Sequence, residues 1–156
     1  AAAVLEAVDR LQAARRVAGF SAGQSLGTPQ DAAHATRAPR FSKADGIIDW
    51  SQPASRIERR RRALEPWPRT ATLFQRDGGP RRLVVEECDV LDIAFMPAGA
   101  AKPPGTVLTA DDRGIVVACG DGTALAIRRV VPEGKRSMSA AEFLRGNGIH
   151  PGTVLG

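Results

Sequence analysis

The sequence predicts a mainly β fold: a small, partly open barrel with short helices, preceded by an N-terminal helix and a linker. Three observations point there. Short apolar-alternating runs recur between Thr70 and Val131, Gly- and Asp-rich turns separate them, and only two brief helical patterns flank that stretch. With 156 residues, 43% of them apolar and 25% charged, the chain can build one domain with a real core plus an appendage.

Residues 1–18 read as an amphipathic helix, with Val4, Leu5, Val8 and Leu11 in one stripe and Glu6, Asp9, Arg10 and Arg16 off it. Gly19 suits its end, and the Ser/Gly/Thr/Pro-rich stretch from Phe20 to Gln30 reads as a linker. The expected organisation is thus a helix and linker over 1–30 and a barrel domain over 31–156. Residues 31–49 read as extended chain and turns around Pro39 and Gly46. Ser51 offers an N-cap, with Pro53 in the first turn of a helix that runs to about Leu64, where Glu65-Pro66 and Pro68 stop it. Ile57, Arg61 and Leu64 share one face of this helix, so Arg61 points to the apolar side and must snorkel or find a carboxylate.

Beyond Trp67 the pattern turns to strand. Thr70–Arg76 and Arg81–Val90 flank a hairpin loop, Asp77-Gly78-Gly79-Pro80. Ile93–Pro104 reads as a longer loop, and Thr106–Thr109 with Ile115–Cys119 as a second hairpin around residues 110–114. Gly120-Asp121-Gly122 turns into a strand over Thr123–Val131. Ser139-x-x-Glu142 is a capping box opening a short helix with Phe143 and Leu144, ended by Gly146. Five or so short strands with one intervening and one closing helix suggest a partly open barrel of the OB type.

Composition excludes several function classes. No apolar run has the length of a membrane helix, no signal-peptide pattern opens the chain, and the cytoplasm is the expected compartment. The first residue is Ala1, which suggests a piece of a longer chain. Cys88 and Cys119 lie in apolar runs and are expected as reduced, buried thiols. Neither histidine has Cys, Asp or Glu at metal-ligand spacing, so no metal is expected. Ser137 and Ser139 lack a neighbouring His, and Gly120-Asp121-Gly122 lacks the helix that a phosphate loop requires. No catalytic residues are expected in this chain.

The net charge of +5 is focused. His34–Arg69 holds nine Lys/Arg against four acids, while the rest of the chain is neutral. That concentration suits a polyanionic partner. Arg59, Arg60 and Arg62 are the foremost candidates, preceded by Arg37, Arg40 and Lys43; Arg81, Arg82, Lys135 and Arg136 are secondary. The alternative is a solvated helix face whose arginines favour the helix C-terminus electrostatically. Trp50 and Trp67 flank the arginine helix and are expected to anchor it in the core, so phosphate and shape, not base stacking, are the expected means of recognition.

From Gln30 onward the chain resembles the C-terminal domain of bacterial methionyl-tRNA formyltransferases. The phrases are Ala38-Pro39-Arg40, Lys43-x-Asp45-Gly46-x-Ile48-Asp49-Trp50, Arg62-Ala63-Leu64-x-Pro66-Trp67-Pro68, Pro104-Gly105-Thr106-Val107 and Val117-Ala118-Cys119-Gly120-Asp121-Gly122. The run from Gly134-Lys135-Arg136 to Glu142-Phe143-Leu144-x-Gly146, and Pro151-Gly152-x-x-Leu155-Gly156, complete the series. The sequence departs from the family pattern where Arg37 replaces Tyr, Arg61 an aliphatic residue, Glu65 an Asn or Asp, and Arg69 a Gly.

The resemblance implies an OB-like accessory domain that lends basic surface to initiator Met-tRNA. Formyl transfer from 10-formyltetrahydrofolate to the methionine amino group belongs, by the same resemblance, to an N-terminal catalytic domain with an Asn, a His and an Asp. Residues 1–18 resemble the last helix of that domain. This chain alone is expected to be inactive, with no cofactor of its own and no membrane partner. The alternative is a structural barrel that positions the catalytic domain of another formyl-transferring enzyme.

Overall fold

The computed structural model describes residues 2–16, 31–76, 78–91 and 102–156. Two compact units divide the chain after Pro39. In the first, helix α1 spans Ala2–Arg15, and its four apolar stripe residues are all exposed. The expected terminator Gly19 and the 20–30 linker lie outside the described residues, as does most of the 93–104 loop.

The second unit is a curled half-barrel of six strands with short helices, the mainly β class that the alternating pattern predicts. Helix α2 is Ala54–Ala63, followed by strands β1 (Ala71–Arg76), β2 (Gly79–Leu91), β3 (Val107–Asp111), β4 (Gly114–Ala118), β5 (Ala124–Pro132) and β6 (Met138–Ser139), then helix α3 (Ala140–Leu144). These strands pair antiparallel in the order β1-β2-β5-β4-β3, with β6 beside β5. Both hairpin turns are tighter than expected. Arg76 pairs with Gly79 and Asp111 with Gly114, so each loop shrinks to two residues.

A bulge in β2 sits at Glu86, where Val85 pairs with Val130 but Glu87 already pairs with Arg129. Bulges bend a strand and re-aim the extra residue. The chain's end crosses between the two edges of the curled sheet. Val107 N–H donates to the Thr153 carbonyl, Leu155 N–H to Gly105, and Gly156 N–H to Leu73 on β1. Inside lie Leu83, Val85, Ile115, Val117, Leu125, Ile127 and Val130, capped by Phe74 and Phe143 in an edge-to-face pair at 5.3 Å.

Trp50, Ile48 and Ile57 join this core, which fixes α2 against the barrel. The Trp50 indole N–H donates to the buried Thr72 hydroxyl at 3.1 Å. Trp67, expected in the core, is instead 54% exposed. The turn after α2 sends Leu64 and Pro68 inward, and the Arg69 N–H returns to the Leu64 carbonyl, which leaves the indole outside.

The helix start also differs from expectation. Ser51 does not cap α2, because its N–H and hydroxyl both donate to the Asp49 carboxylate. The first free N–H of the helix, on Ala54, is satisfied by the Thr123 hydroxyl from the β4–β5 turn at 2.8 Å. Gly120 makes this approach possible, since a Cβ there would stand 1.8 Å from the Ser51 carbonyl oxygen. The Ser139–Glu142 capping box of α3 is present in both directions.

Candidate nucleic-acid interface

Helix α2 positions most of the candidate cations. Ala54, Ile57 and Leu64 are buried and define the inner face. At 100° per residue Arg59 points directly away from it, with Arg56 and Arg60 on one flank and Arg62 on the other. Arg56, Arg59, Arg60 and Arg62 are all exposed. Arg61 is drawn to the apolar side as expected. Its side chain is only 18% exposed, with Nη1 donating to the Glu86 carbonyl at 2.9 Å and Nη2 3.7 Å from Glu58.

Acid placement then decides which charges stay uncompensated. Glu58 takes Arg62 at 2.9 Å as well as facing Arg61, so that flank is partly compensated. Glu86, turned by its bulge, takes Arg69 at 2.9 Å and lies 3.8 Å from Arg129, while the Ser137 hydroxyl donates to its second oxygen. The Ser137 hydrogen bond, followed by the Arg69 and Arg129 charges, outweighs burial and holds the Glu86 carboxyl below its ordinary range. Hydrogen bonds from Ser42 hold the Asp45 carboxyl below its ordinary range, and hydrogen bonds from Ser51 and Gln52 do so for Asp49, with smaller contributions from the Arg60 and Arg56 charges, respectively. Among the described residues no carboxylate forms an ion pair with Arg56, Arg59 or Arg60.

Spacings of three and four residues place Arg56, Arg59 and Arg60 together on one side of α2. Arg60 Nη2 donates to the Asp45 carbonyl at 2.7 Å, which pins the turn carrying Lys43 to the helix. Gly46 lets that turn close, because a Cβ there would meet the Arg69 carbonyl oxygen at 2.2 Å. Arg40 and Lys43 are exposed at its start. Arg37 belongs to the other compact unit. The sequence reading missed Arg56 as a contact residue, although its spacing to Arg59 and Arg60 carried the signal.

The secondary candidates separate. Arg81 and Lys135, with Arg76, line a cavity of about 460 Å³ floored by Phe74, Met138 and Phe143. Arg82 is half-buried, and its guanidinium donates to the Pro68 and Arg69 carbonyls, stapling the turn after α2. Arg136 is exposed and does not line that cavity. Burial raises both thiols, Cys88 to about 11 and Cys119 to about 12, so neither is a nucleophile at neutral pH. No cluster of metal-ligating side chains occurs among the described residues. No helix among them is long and apolar enough to cross a membrane.

Comparison with known proteins places the barrel. Residues 40–148 match the model of the formyl transferase, C-terminal domain. The chain belongs to that family. Methionyl-tRNA formyltransferase of Granulibacter bethesdensis is 40% identical over 132 residues, which cover 85% of this chain and 38% of that protein. The enzyme of the same name from Thiobacillus denitrificans is 39% identical over the whole chain and 48% of its own length. The chain therefore spans less than half of the curated relatives it matches. In fold it is similar to part of HypX from Aquifex aeolicus, solved with tetrahydrofolic acid, with a TM-score of 0.52 and 19% identity over 90% of this chain and 22% of that one. The formyl transferase C-terminal domain thus carries here a basic stripe on helix α2.

Proposed function

We propose that this chain is the tRNA-binding accessory domain of a methionyl-tRNA formyltransferase. The observation that carries the reading is the exposed stripe of Arg56, Arg59 and Arg60, none of them in an ion pair among the described residues, flanked by Arg40 and Lys43. Guanidiniums present parallel N–H donors that fit phosphate oxygens, and a row of them on a short rigid helix follows a nucleic-acid backbone. The likeness to methionyl-tRNA formyltransferases supplies the partner, initiator Met-tRNA. Arg81, Lys135 and Arg136 extend the basic surface at a second place on the barrel.

Formyl transfer, with 10-formyltetrahydrofolate as donor substrate, belongs in this reading to a catalytic domain outside this chain. The single asparagine, Asn147, is committed: its Oδ1 accepts from Arg76 and its Nδ2 donates to the Phe143 carbonyl. His34 pairs with Asp31 in the first unit, and His150 stands near the exposed end of the chain.

Fluorescence anisotropy of labelled initiator tRNA with this chain, at low and moderate salt, tests the reading. Binding that weakens steeply with salt and disappears in R56E/R59E/R60E is the expected result. A folded chain that ignores tRNA at low salt but binds a separately produced catalytic domain would make it a positioning barrel instead.

A further inference from the structure

We infer that the cleft between α2 and the segment 47–52 receives one unstacked nucleotide of the RNA, a deepening that rests on the tRNA-binding reading. The cleft measures about 290 Å³, at the small end of ligand pockets. Ile47, Ile48 and Ile57 supply apolar walls, Arg56 and Arg60 stand one helical turn apart along it, and Thr70 lines it too.

Thr70 is the decisive residue. It is 2% exposed, and its hydroxyl is buried with no hydrogen-bond partner among the described residues. A buried hydroxyl left unpaired is unfavourable, and native structures pair nearly all such groups with protein, water or ligand. The other polar groups restrict what that ligand is. Asp49 spends its carboxylate on Ser51 and Gln52 and stays ionised, so it repels an anionic group at its own end of the cleft. Arg60, tethered to the Asp45 carbonyl, and Arg56, exposed and in no ion pair, attract one on the helix side.

The fitting occupant therefore has an anionic group at one end, a compact body for the aliphatic walls, and a hydrogen-bonding edge or hydroxyl for Thr70. A nucleotide has all three: phosphate for the arginines, base or ribose for the isoleucines, a base edge or 2′-hydroxyl for Thr70. Guanidinium planes also stack on bases, which suits a cleft with no aromatic lining. A base that is paired and stacked cannot reach the isoleucine walls of a cleft this small. The recognised element is thus an unpaired position beside a helical stretch held by Arg59.

The test uses the full ¹⁵N-labelled chain titrated with each nucleoside 5′-monophosphate and, separately, with inorganic phosphate. Amide signals of Ile48, Ile57 and Thr70 should shift with the nucleotides and not with phosphate alone. Thr70→Val, nearly the same shape, should weaken nucleotide binding about fivefold, the value of one hydrogen bond. The same variant should raise the melting temperature of the free chain, because the unpaired hydroxyl is gone. Arg56→Ala, at an exposed position that leaves the fold intact, should also weaken it. An RNA hairpin with one bulged nucleotide should bind more tightly than its fully paired counterpart.

Silent cleft signals at millimolar nucleotide, or equal affinity of Thr70→Val and the unaltered chain, overturn the inference even if tRNA binds. Shifts in the cleft from a chain that ignores tRNA would sustain the nucleotide site and refute the tRNA-domain reading instead.

Discussion

Removing the charges of Arg56 and Arg59 together should change the salt dependence of tRNA binding, and removing Arg62 should barely do so. The reason is geometric: Arg62 already holds Glu58 at 2.9 Å, whereas Arg56 and Arg59 form no ion pair among the described residues. Each phosphate neutralised contributes about 0.7–0.9 to the slope of log K against log salt. The R56A/R59A variant should therefore show a slope shallower by about 1.6, so that a rise from roughly 50 to 200 mM salt weakens its binding about ninefold less than that of the unaltered chain. R62A should shift the slope by less than about 0.4, because its charge is half spent within the protein. Alanine is a strong helix former, so none of these exposed changes should unfold α2. Anisotropy titrations at four salt concentrations give the slopes. If R62A flattens the slope as much as R56A/R59A, the division of α2 into a partly compensated and an open flank is wrong.

Arg69 has φ of 61°, a left-handed conformation that disfavours any residue with a Cβ by about 1–2 kcal/mol. R69A should be less stable than R69G by about 1 kcal/mol in urea denaturation, since both lose the Glu86 ion pair but only R69G loses the strain; equal stabilities would deny that strain. The Glu86 carboxyl is held below its ordinary 4.5, so its stabilising contribution is complete above about pH 4.5 and is lost as pH falls through the folded value. E86Q should accordingly melt lower than the unaltered chain at pH 7, with the gap closing below pH 4.5; a gap independent of pH would show that Glu86 acts by shape alone. Cys88 and Cys119 should resist thiol reagents at pH 8 in the folded chain and react in denaturant, given values raised to about 11 and about 12. Rapid native labelling of Cys119 would contradict its burial.

Local rules made much of this fold legible. Alternation placed every long strand, the Ser139–Glu142 spacing placed a capping box, and the 57/61/64 periodicity correctly turned Arg61 inward. What failed depended on partners distant in sequence. Ser51 has the right chemistry for an N-cap, but Asp49 claims it and Thr123, 69 residues from Ala54, serves instead. Trp67 was expected inside because indoles are large and apolar. Only the path of the turn, with Leu64 and Pro68 inward and Arg82 stapling the carbonyls, decides that it faces outward. The basic segment was visible as a composition, yet which arginines remain open followed from where four carboxylates fell. The Thr70 hydroxyl left no trace in the sequence, since an unpaired group is defined by what does not reach it.

That distribution of carboxylates carries the argument further than net charge does. Had the acid of Glu58 stood at position 63 instead, four residues after Arg59 and three after Arg60, it would have faced their side of α2 and not Arg62. The excess would be unchanged, but the open row would be interrupted. Instead the acids of this region settle the charges nearest the barrel. Glu58 serves Arg61 and Arg62 and Glu86 serves Arg69, while Asp45 and Asp49, hydrogen-bonded by Ser42 and by Ser51 and Gln52, keep their charge near Arg60 and Arg56 without forming ion pairs with them. The Glu58 and Glu86 pairings strengthen the attachment of α2 and of the turn after it, and they spend those two charges away from Arg56, Arg59 and Arg60. The contacts that make the helix rigid are the same ones that leave its outer face positive. A rigid, positive helix face presents its guanidiniums with little further ordering when a phosphate backbone arrives.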